Sequence, residues 1–576
     1  MSTALQPPLV QHFDLIALAP GGVARLRELI LTLAVQGKLV PQDPSDEPAS
    51  VLLQKIRAEK DRLIAEGKIK RDKPLAEITD EEKPFELPEG WEWVRIGSVA
   101  SYIQRGKGPV YSENSDFYVI SQKCVRWTGL DMAPARTITP ESLTKYEEVR
   151  FLKPGDLLWN STGTGTIGRA CLFPASCADQ RLVADSHVTV VRPLLINSEF
   201  LWRWIQCPIV QSEIEGSASG TTNQIELNTS TVVEHLVPLP PLAEQSRIVT
   251  RVEELMQLCD ALEASGQLQA QQHAQLVGTL LGTLTQSQTP EALADNWQRI
   301  ATHFDLLLDR PSSLDALEQT ILQLAVRGLL VPQDPTDEAA SVLLQKIRTE
   351  KDHLIAQGKI KRDKPLPPIT DEEKPFALPQ GWEWVRLGAL GQTFDYGTSQ
   401  KSGDDASAVP ILRMGNVQDG RIVMSNLKYL KDQDGDLPSL LLLKGDLLFN
   451  RTNSYELVGK TGLFEGFTRD VTFASYLIRI RIMPTLGCPE YINMYMNTRD
   501  CRINEIEPDL TQQTGQANYN GTKLKNIRTP LPPLEEQFRI VNRVNELRAM
   551  CADLRQRLRD QQTTQTHLAD ALVSAG

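Results

Sequence analysis

Apolar residues recur at helical spacing in two long stretches, one in the middle of the chain and one near its end. Their steps of four and three residues are the a and d spacing of a coiled-coil seam. One such stripe is typical of an ordinary core helix, whereas two copies at equivalent positions favour helices that pack on each other. A helix of ~40 residues would be ~60 Å long and could hold two domains apart. The first stripe consists of Ile248, Val252, Leu255, Cys259 and Leu262, and the second of Ile540, Val544, Leu547, Cys551, Leu554 and Leu558.

Shorter helices and strands are predicted elsewhere. Helical patterns run over Ser50–Glu66 and Ser341–Gln357, and each is followed by a glycine that suits a C-terminal cap. Pro241 and Pro533 stand where a long helix can begin. The remaining stretches carry short apolar runs that predict mixed α/β domains. The strand-like runs are FYVISQK, DLLWN, HVTVVRP, VPILRMG, DLLFN and YLIRIRI, and the short helices are EFLWRWIQ and PEYINMYMNT.

The chain repeats itself. Leu33–Gly97 returns as Leu324–Gly388 with roughly four positions in five identical. Pro238–Leu262 returns as Pro530–Leu554, whereas the stretches between the shared blocks have similar lengths and largely different sequences. The order is shared, variable, shared, shared, variable, shared. Such a chain can place two variable domains in equivalent settings related by an approximate two-fold axis.

Composition is that of an ordinary soluble protein with the length of several compact units. The chain has 576 residues, of which 41% are hydrophobic and 23% charged, which argues against disorder as the default. It contains no run of eighteen apolar residues, and its first twenty residues lack the basic and apolar regions of a secretion signal. The 8 cysteines form no CxxC pair and the 7 histidines are dispersed, so neither a disulfide framework nor a zinc site is indicated. We expect a cytoplasmic protein with no membrane partner.

The net charge is distributed unevenly. A value of −12 argues against nucleic acid, because phosphate neutralisation dominates affinity for it. However, residues 89–237 carry 13 basic and 16 acidic groups and residues 380–528 carry 17 of each, so most of the acidity lies outside these segments. The basic run KIKRDKPL occurs twice outside them, at Lys68–Leu75 and Lys359–Leu366. A solvated surface linker is the simpler interpretation of this run, and a phosphate contact is the alternative.

Two stretches resemble nucleotide-binding motifs. Gly163–Gly168 matches GxGxxG after the strand-like DLLWN, and Val458–Thr461 resembles the end of a GxxxxGK[ST] loop whose leading position is Ser454. A dinucleotide site requires the glycines to turn into a helix that receives pyrophosphate. The following residues, RACLFPAS, are strand-like and soon reach Pro174, so we do not predict a nucleotide site.

The two motifs are one loop in two versions. GDLLWNSTGTGTIGRACLF aligns with GDLLFNRTNSYELVGKTGLF after one insertion, and each copy lacks the residues that define the other motif. Both copies keep a strand, a polar loop and then a cation, Arg169 or Lys460. Small polar groups beside one cation suit a loop that approaches a DNA backbone or base edge. A turn with a surface cation is the plainer alternative.

A second polar segment lies near the end of each variable stretch. SASGTTNQIELN aligns with DLTQQTGQANYN, which places Gln224 over Gln516 and Asn228 over Asn520. Glutamine and asparagine can pair in a bidentate way with adenine in the major groove. For Asn228 and Asn520 we favour the alternative role of a helix N-cap.

Motifs of catalysis are absent from the sequence. It contains no HExxH, no GxSxG and no paired Cys/His arrangement. It also lacks the (N/D)PP(Y/F) motif with which amino-methyltransferases hold a flipped base. The sequence therefore favours a binding protein over an enzyme.

Three motifs together resemble a known family. GWEWVRLG opens a variable stretch, GDLL lies inside it and PLPPLxEQxRIVxRVxEL closes it, which is similar to the specificity (S) subunit of type I restriction-modification systems. LRELILTLAVQGKLVPQDP resembles the start of the longer members. The resemblance spans nearly the whole chain, and its motifs occur twice in the expected order. It implies two mixed α/β target-recognition domains separated by long antiparallel coiled-coil-like helices in a pseudo-two-fold internal repeat.

The resemblance also implies a domain plan. It comprises an N-terminal helical conserved region (1–88), target-recognition domain 1 (89–237), a central conserved helical spacer (238–379), target-recognition domain 2 (380–528) and a C-terminal conserved helix (529–576).

The same resemblance implies a non-catalytic subunit, whose partners would be double-stranded DNA, two modification (methyltransferase) subunits and restriction (translocase and nuclease) subunits. Each variable domain would read one half of a bipartite, asymmetric site. The chain itself would hold no cofactor, whereas S-adenosylmethionine and ATP would bind to the partner subunits.

Two other hypotheses stay open at this point. The near-neutral variable domains are compatible with a helical scaffold whose variable domains bind proteins, and methyl transfer by the chain alone would make it an enzyme. Under the DNA hypothesis, Arg169 and Lys460 are predicted phosphate contacts and Gln224 and Gln516 predicted base readers. The further candidate DNA-binding residues are Lys107, Lys123, Arg126, Thr162, Thr164, Lys401, Arg413, Asn416, Arg451 and Asn453.

Overall fold

The computed structural model divides into two compact units. The first comprises Met1–Leu268 with Gln562–Gly576, and the second comprises Gln269–Gln561. The described residues are 16, 19–71, 73–113, 115–163, 165–217, 226–287, 289–431, 435, 437–513 and 516–574.

The first repeat contains eight of the described α-helices and eleven of the described strands. The helices are α1 (Gly22–Val35), α2 (Ala49–Ala65), α3 (Ile96–Val99), α4 (Pro140–Leu143), α5 (Ser198–Gln206), α6 (Pro208–Ser217), α7 (Thr229–Glu234) and α8 (Leu242–Thr285). The strands are β1 (Glu92–Arg95), β2 (Ala100–Arg105), β3 (Tyr118–Ile120), β4 (Val125–Arg126), β5 (Gly129–Leu130), β6 (Arg136–Thr137), β7 (Leu157–Asn160), β8 (Ala170–Leu172), β9 (Val183–Ala184), β10 (Val188–Pro193) and β11 (Leu236–Leu239).

The main sheet of the first unit has the order β2-β10-β7-β8 and is antiparallel. All four residues of β7 are buried, because both faces of the sheet are covered. Leu157 and Trp159 pack into a core with α5, whereas the alternate residue Leu158 packs into a separate core with Val190. This alternation follows from the two-residue period of a strand. Smaller sheets have the orders β6-β3-β9, β4-β5 and β1-β11.

The second repeat contains the remaining described α-helices and strands. The helices are α9 (Pro290–Thr302), α10 (Phe304–Leu307), α11 (Pro311–Val326), α12 (Ala340–Ala356), α13 (Leu387–Leu390), α14 (Pro489–Met496), α15 (Arg499–Cys501), α16 (Gly521–Asn526) and α17 (Leu534–Ser574). The strands are β12 (Glu383–Arg386), β13 (Gly391–Tyr396), β14 (Val409–Leu412), β15 (Val417–Gln418), β16 (Arg421–Ile422), β17 (Lys428–Leu430), β18 (Leu447–Asn450), β19 (Thr452–Asn453), β20 (Thr461–Leu463), β21 (Thr472–Phe473), β22 (Leu477–Ile482), β23 (Thr511–Gln513), β24 (Gln516–Asn518) and β25 (Arg528–Leu531).

The main sheet of the second unit contains the same four strands as the first and extends further. Its order is β13-β22-β18-β20-β16-β15. Leu447 and Phe449 face one core and Leu448 faces another, as in the first unit. Smaller sheets have the orders β17-β14-β21, β19-β24-β23 and β12-β25.

The residues of the two apolar stripes are buried or half-buried, as their spacing predicted. In the first unit, Ile248 and Val252 of α8 pack with Leu26 and Ile30 of α1. In the second unit, the stripe of α17 shares a core with α11. The stripe therefore joins each long helix to a shorter helix of the same unit.

Most of the predicted elements are confirmed. The six strand-like runs contain β3, β7, β10, β14, β18 and β22, and the two short helical runs are α5 and α14. The long helices begin directly after Pro241 and Pro533. Gly67 and Gly358 follow α2 and α12 with φ angles of 67° and 69°, as expected of glycines that end helices.

A two-stranded ribbon attaches each variable domain to its helices. β1 pairs with β11, with Glu92 opposite Leu239, and β12 pairs with β25, with Glu383 opposite Leu531. Each ribbon joins the GWEWVR motif at the start of a variable domain to the PLPPL motif at its end. The chain thus enters and leaves each variable domain at one place.

Candidate nucleic-acid interface

One end of the main sheet gathers polar loops in the first unit. β2 ends at Arg105 and β7 at Asn160, and the antiparallel strand β10 begins between them. Thr162 follows β7 and His187 precedes β10, and Thr162 Oγ1 lies 2.7 Å from His187 Nδ1. The loop after β7 is the polar loop that the sequence singled out.

The second polar segment lies beside this loop. The amide of Leu227 donates to the carbonyl of Ser161 over 2.8 Å, and Thr162 forms an antiparallel bridge with Glu226. The carboxylate of Glu226 also accepts a hydrogen bond from the guanidinium of Arg105. Two polar stretches that are far apart in the sequence therefore form one surface.

The second unit makes the equivalent connection with more regular structure. Thr452 of β19 lies opposite Asn518 of β24, and Thr452 Oγ1 donates to Asn518 Oδ1 over 2.7 Å. The amide of Tyr519 donates to the carbonyl of Arg451 over 2.8 Å, as Leu227 does to Ser161. These pairings support the alignment of Glu226–Asn228 with Asn518–Asn520 at the ends of the two polar segments.

In both units, a glycine directly after the edge strand of the main sheet, β2 or β13, allows two backbone segments to approach closely. A Cβ added to Gly106 would lie 2.0 Å from the carbonyl oxygen of Asp185, and one added to Gly397 would lie 2.3 Å from the carbonyl oxygen of Phe473. No other residue fits such an approach of backbone to backbone. The sequence analysis did not identify these glycines, although they follow equivalent strands, β2 and β13.

The predicted residues of the first unit have different surroundings. Lys107 and Lys123 are exposed, and Lys107 stands two residues after Arg105. Arg126 is exposed and lies 3.6 Å from Asp131. Arg169 is partly buried and donates to the carbonyl of Gly165 over 3.3 Å, so that its guanidinium returns to its own loop. Thr162 is part of the interface described above, and Thr164 and Gln224 lie outside the described residues.

In the second unit, several predicted residues gather at the equivalent end of the sheet. The guanidinium of Arg451 lies over the ring of Tyr396 at 5.0 Å and donates to the carbonyl of Ser475. Asn453 and Gln516 belong to the paired strands β19 and β24, and Gln516 is exposed. Lys460 is partly buried at the base of the loop, and Lys401 is exposed.

The structure does not support Asn416 as a DNA contact. Its side chain is 4% exposed, and its amide donates to the carbonyls of Val423 and Ser425 over 2.8 and 2.9 Å. Its Oδ1 accepts from the amide of Arg413. Asn416 thus holds a turn together, because a buried amide needs internal partners. The guanidinium of Arg413 also has an internal partner, since it donates to the carbonyl of Asn426 over 3.0 Å.

Two tyrosines of the second unit were missed by the sequence analysis. Tyr396 and Tyr476 are each 46% exposed, and the hydroxyl of Tyr396 accepts from the amide of Gly521 over 2.7 Å. Arg105 and His187 were missed in the first unit. The only available signal was their place at the end of a predicted strand, which does not reveal which strand ends meet.

The loops with the glycine motifs are not followed by the helix that a nucleotide site requires. β8 and β20, not helices, follow the loops. Gly168 and Gly459 have φ angles of 81° and 97°, and a Cβ on either would press on Ile214 or Ile506. These glycines lie in loops between antiparallel strands and pack against Ile214 in the first unit and Ile506 in the second.

The helix caps at the end of the second polar segment differ. Asn520 Oδ1 accepts from the amide of Lys523 over 2.9 Å and caps α16, which confirms the preferred role. Asn228 occupies the same position before α7, but its side chain makes no capping bond.

Burial and pairing shape the electrostatics of the first interface. Asp185 is buried, which raises the pKa of its carboxyl, and its Oδ1 accepts from the amide of His187 over 2.8 Å. In the part of the chain that the structure describes, no group of three or more His, Cys, Asp or Glu side chains could hold a metal ion. No described helix is long and apolar enough to cross a membrane.

The helices α1, α2 and α8 recur as α11, α12 and α17, and we call each set a helical frame. Two different α/β domains, each held by one such frame, define a protein with two recognition modules. The model of the type I restriction modification DNA specificity domain matches residues 88–271 and 379–562. The chain therefore belongs to this family, and the family favours the DNA hypothesis over the protein-binding scaffold.

Relatives with assigned roles cover almost the whole chain. The type I restriction enzyme EcoEI specificity subunit of Escherichia coli is 37% identical over 96% of this chain and 94% of that protein. The EcoAI specificity subunit of Escherichia coli has the same identity and coverage. A solved HsdS subunit from Thermoanaerobacter tengcongensis is 18% identical over 85% of this chain and 97% of that chain, with a TM-score of 0.38. A score this low adds nothing to the fold described above.

Proposed function

We propose that this chain is the DNA sequence-recognition subunit of a type I restriction-modification complex. Each variable domain reads one half of a bipartite, asymmetric site, and the helices space the two readers and dock two methyltransferase subunits. Restriction subunits with translocase and nuclease activity join the complex. The chain performs no chemistry, and S-adenosylmethionine and ATP bind to the partner subunits in the cytoplasm.

The observation that carries this proposal is the repeated assembly of two polar segments at one end of each main sheet. The same backbone bond, Leu227 to Ser161 and Tyr519 to Arg451, joins the segments in both units. The side chains at this end of the sheet differ, with Arg105 and His187 in one unit and Tyr396 and Gln516 in the other. Equivalent surfaces with different hydrogen-bonding groups suit two different half-sites.

The roles of the residues follow from their exposure. Gln516 has the exposed amide that bidentate contact with adenine requires. Lys460, at the base of the loop, offers a cation to the phosphate backbone. In the first unit, Lys107 and Lys123 take the phosphate role, and Arg105 can contact a base or phosphate when DNA replaces its bond to Glu226.

The test is selection from a pool of random duplexes by the full chain in complex with its modification subunits. We expect enrichment of two short, different sequences at a fixed separation. Replacement of residues 380–528 by the equivalent domain of a relative should change only one of them. Enrichment of no sequence would contradict the proposal, and a preference for a protein ligand instead would favour a scaffold.

The methyltransferase role of the partners has a separate test. Adenine methylation should be mapped in DNA from cells that express the complex, with the same half-sites expected around the methylated bases. Methyl transfer by the purified chain alone would contradict the proposed absence of catalysis.

A further inference from the structure

A basic segment of identical sequence occurs once in each unit outside the variable domains. We call Lys68–Lys73 and Lys359–Lys364 the basic segments; each reads KIKRDK and carries four cations and one carboxylate. All eight cations are exposed. Lys68 lies 2.7 Å from Glu66, and Arg362 lies 3.5 Å from Asp352. Such exposed ion pairs are weak, so these cations can readily exchange the carboxylate for another anion.

The basic segment of the second unit lies beside the candidate interface. Lys525, near the end of α16, donates to Asp363 Oδ1 over 2.5 Å. At the start of the same helix, the amide of Gly521 donates to the hydroxyl of Tyr396. A helix of six residues is only ~9 Å long. α16 therefore links the basic segment to the interface directly.

The first unit has the same arrangement through α7. Leu75, just after the basic segment, and Val233 of α7 both approach Gly97, at 3.3 and 2.8 Å from the position that a Cβ would take. α7 begins just after Leu227, which bonds to the polar loop. Arg95 also donates to the carbonyl of Ala76 over 3.0 Å, so the chain is fixed where it leaves the segment.

A charge that is constant in both units suits a ligand that is constant in both half-sites. Bases differ between half-sites, but the phosphates of any duplex repeat with the same charge and spacing. A contact to phosphates can therefore stay unchanged while the readers diverge. Outside the variable domains, which are nearly neutral, the rest of the chain is acidic apart from the basic segments. Such local concentrations of positive charge attract a polyanion.

We infer that the two basic segments bind DNA phosphates next to each half-site and supply affinity that is independent of sequence. This role rests on the proposed function and adds a second class of contact to it. The segments hold the duplex against the units, whereas the loops at the sheet ends read it.

The test compares two sets of substitutions in the full chain, in complex with its modification subunits, on a random-sequence duplex. The first set is Lys70→Gln, Arg71→Gln, Lys361→Gln and Arg362→Gln. The matched control removes four exposed cations from α2 and α12, with Lys55→Gln, Arg57→Gln, Lys346→Gln and Arg348→Gln. Affinity is measured as a function of salt, and circular dichroism verifies that both variants fold.

We expect the slope of log affinity against log salt to become shallower by about 3–4 for the first set, since each lost phosphate contact removes about 0.9. Between 50 and 200 mM salt, the variant should then lose about 100-fold less affinity than the parent. The ratio of affinities for the selected target and the random duplex should stay the same.

Three results would overturn the inference. These are an unchanged slope, an equal change in the control variant, and loss of the modification subunits with intact DNA binding, which would identify the segments as a protein-docking surface. A parent complex without any sequence preference would instead contradict the proposed function, so the two failures are distinguishable.

Discussion

The helical frames of the two units repeat the same polar side-chain contacts, whereas the candidate interfaces of the two variable domains differ in theirs. Trp91 Nε1 donates to Glu244 Oε2 over 3.0 Å, and the equivalent Trp382 donates to Glu536 over 2.9 Å. The pairs Arg247–Asp46 and Arg539–Asp337 have the same separation of 2.5 Å. Among the residues of the interface loops that the structure describes, no such side-chain contact is shared. The frame thus fixes the position of a reader without depending on what the reader recognises.

One ion pair in the frames breaks this rule by reversing its polarity. In the first unit, Arg27 of α1 pairs with Glu263 of α8 at 2.9 Å. At the equivalent positions of the second unit, Glu318 of α11 pairs with Arg555 of α17 at 3.1 Å. The wrong combination of these similar helices would place two like charges together. The reversal therefore gives each short helix a preference for its own long helix.

The largest expected effect tests a contact that both variable domains share. Arg192 pairs with the buried Asp156 at 2.7 Å, and Arg481 pairs with Asp446 at 2.6 Å. Arg192→Met or Arg481→Met would leave a buried carboxylate without its partner, which should cost about 3–5 kcal/mol in either unit. Urea unfolding of the full chain, with hydrogen exchange to locate the loss, measures this. The exposed pair Arg181–Glu148 is the control, and Arg181→Met should cost less than about 1 kcal/mol.

The next effect separates base reading from backbone binding in the second reader. Gln516→Ala should cost about 1–3 kcal/mol at one base and relax specificity there. Lys460→Ala should weaken all sites alike and leave the preference unchanged. Binding to the selected duplex and to its single-base variants distinguishes these outcomes. Equal behaviour of the two variants would refute the assignment of roles.

A smaller effect concerns the reversed ion pair. Glu263→Arg should destabilise the first unit by about 1 kcal/mol, because two arginines would then face each other at a partly exposed site. The double variant with Arg27→Glu should recover part of that loss, because Asp260, which also pairs with Arg27 at 2.5 Å, would then face a carboxylate. A double-mutant cycle measures the recovery. No recovery would show that the pair is incidental.

The smallest effect concerns pH. Burial raises the pKa of Glu244 and of Glu536, so folding favours their protonated forms. Each carboxyl therefore contributes stability below its unfolded pKa and loses it as pH rises through the folded value. Glu244→Gln and Glu536→Gln keep the acceptor for the tryptophan and should raise Tm slightly at neutral pH but not at acidic pH. An equal gain at both pH values would exclude this cause.

The strands and helices could be predicted because their signals are local. The composition of DLLWN and YLIRIRI predicts buried strands, and the spacing of the apolar stripes in α8 and α17 predicts helices. Asn416 was misjudged because nothing in its neighbours indicates that three backbone groups surround it.

The sequence by itself determined that this protein is one frame used twice with two different readers. It also determined the helices of the frame and most strands of the readers, since these depend on residues within a few positions of one another. Only the tertiary structure decided which polar segments meet. The bond between Tyr519 and Arg451 and the contact of α16 with a basic segment join residues that are far apart in the chain. Such contacts follow from the way the strands and helices pack on one another, which no local pattern encodes.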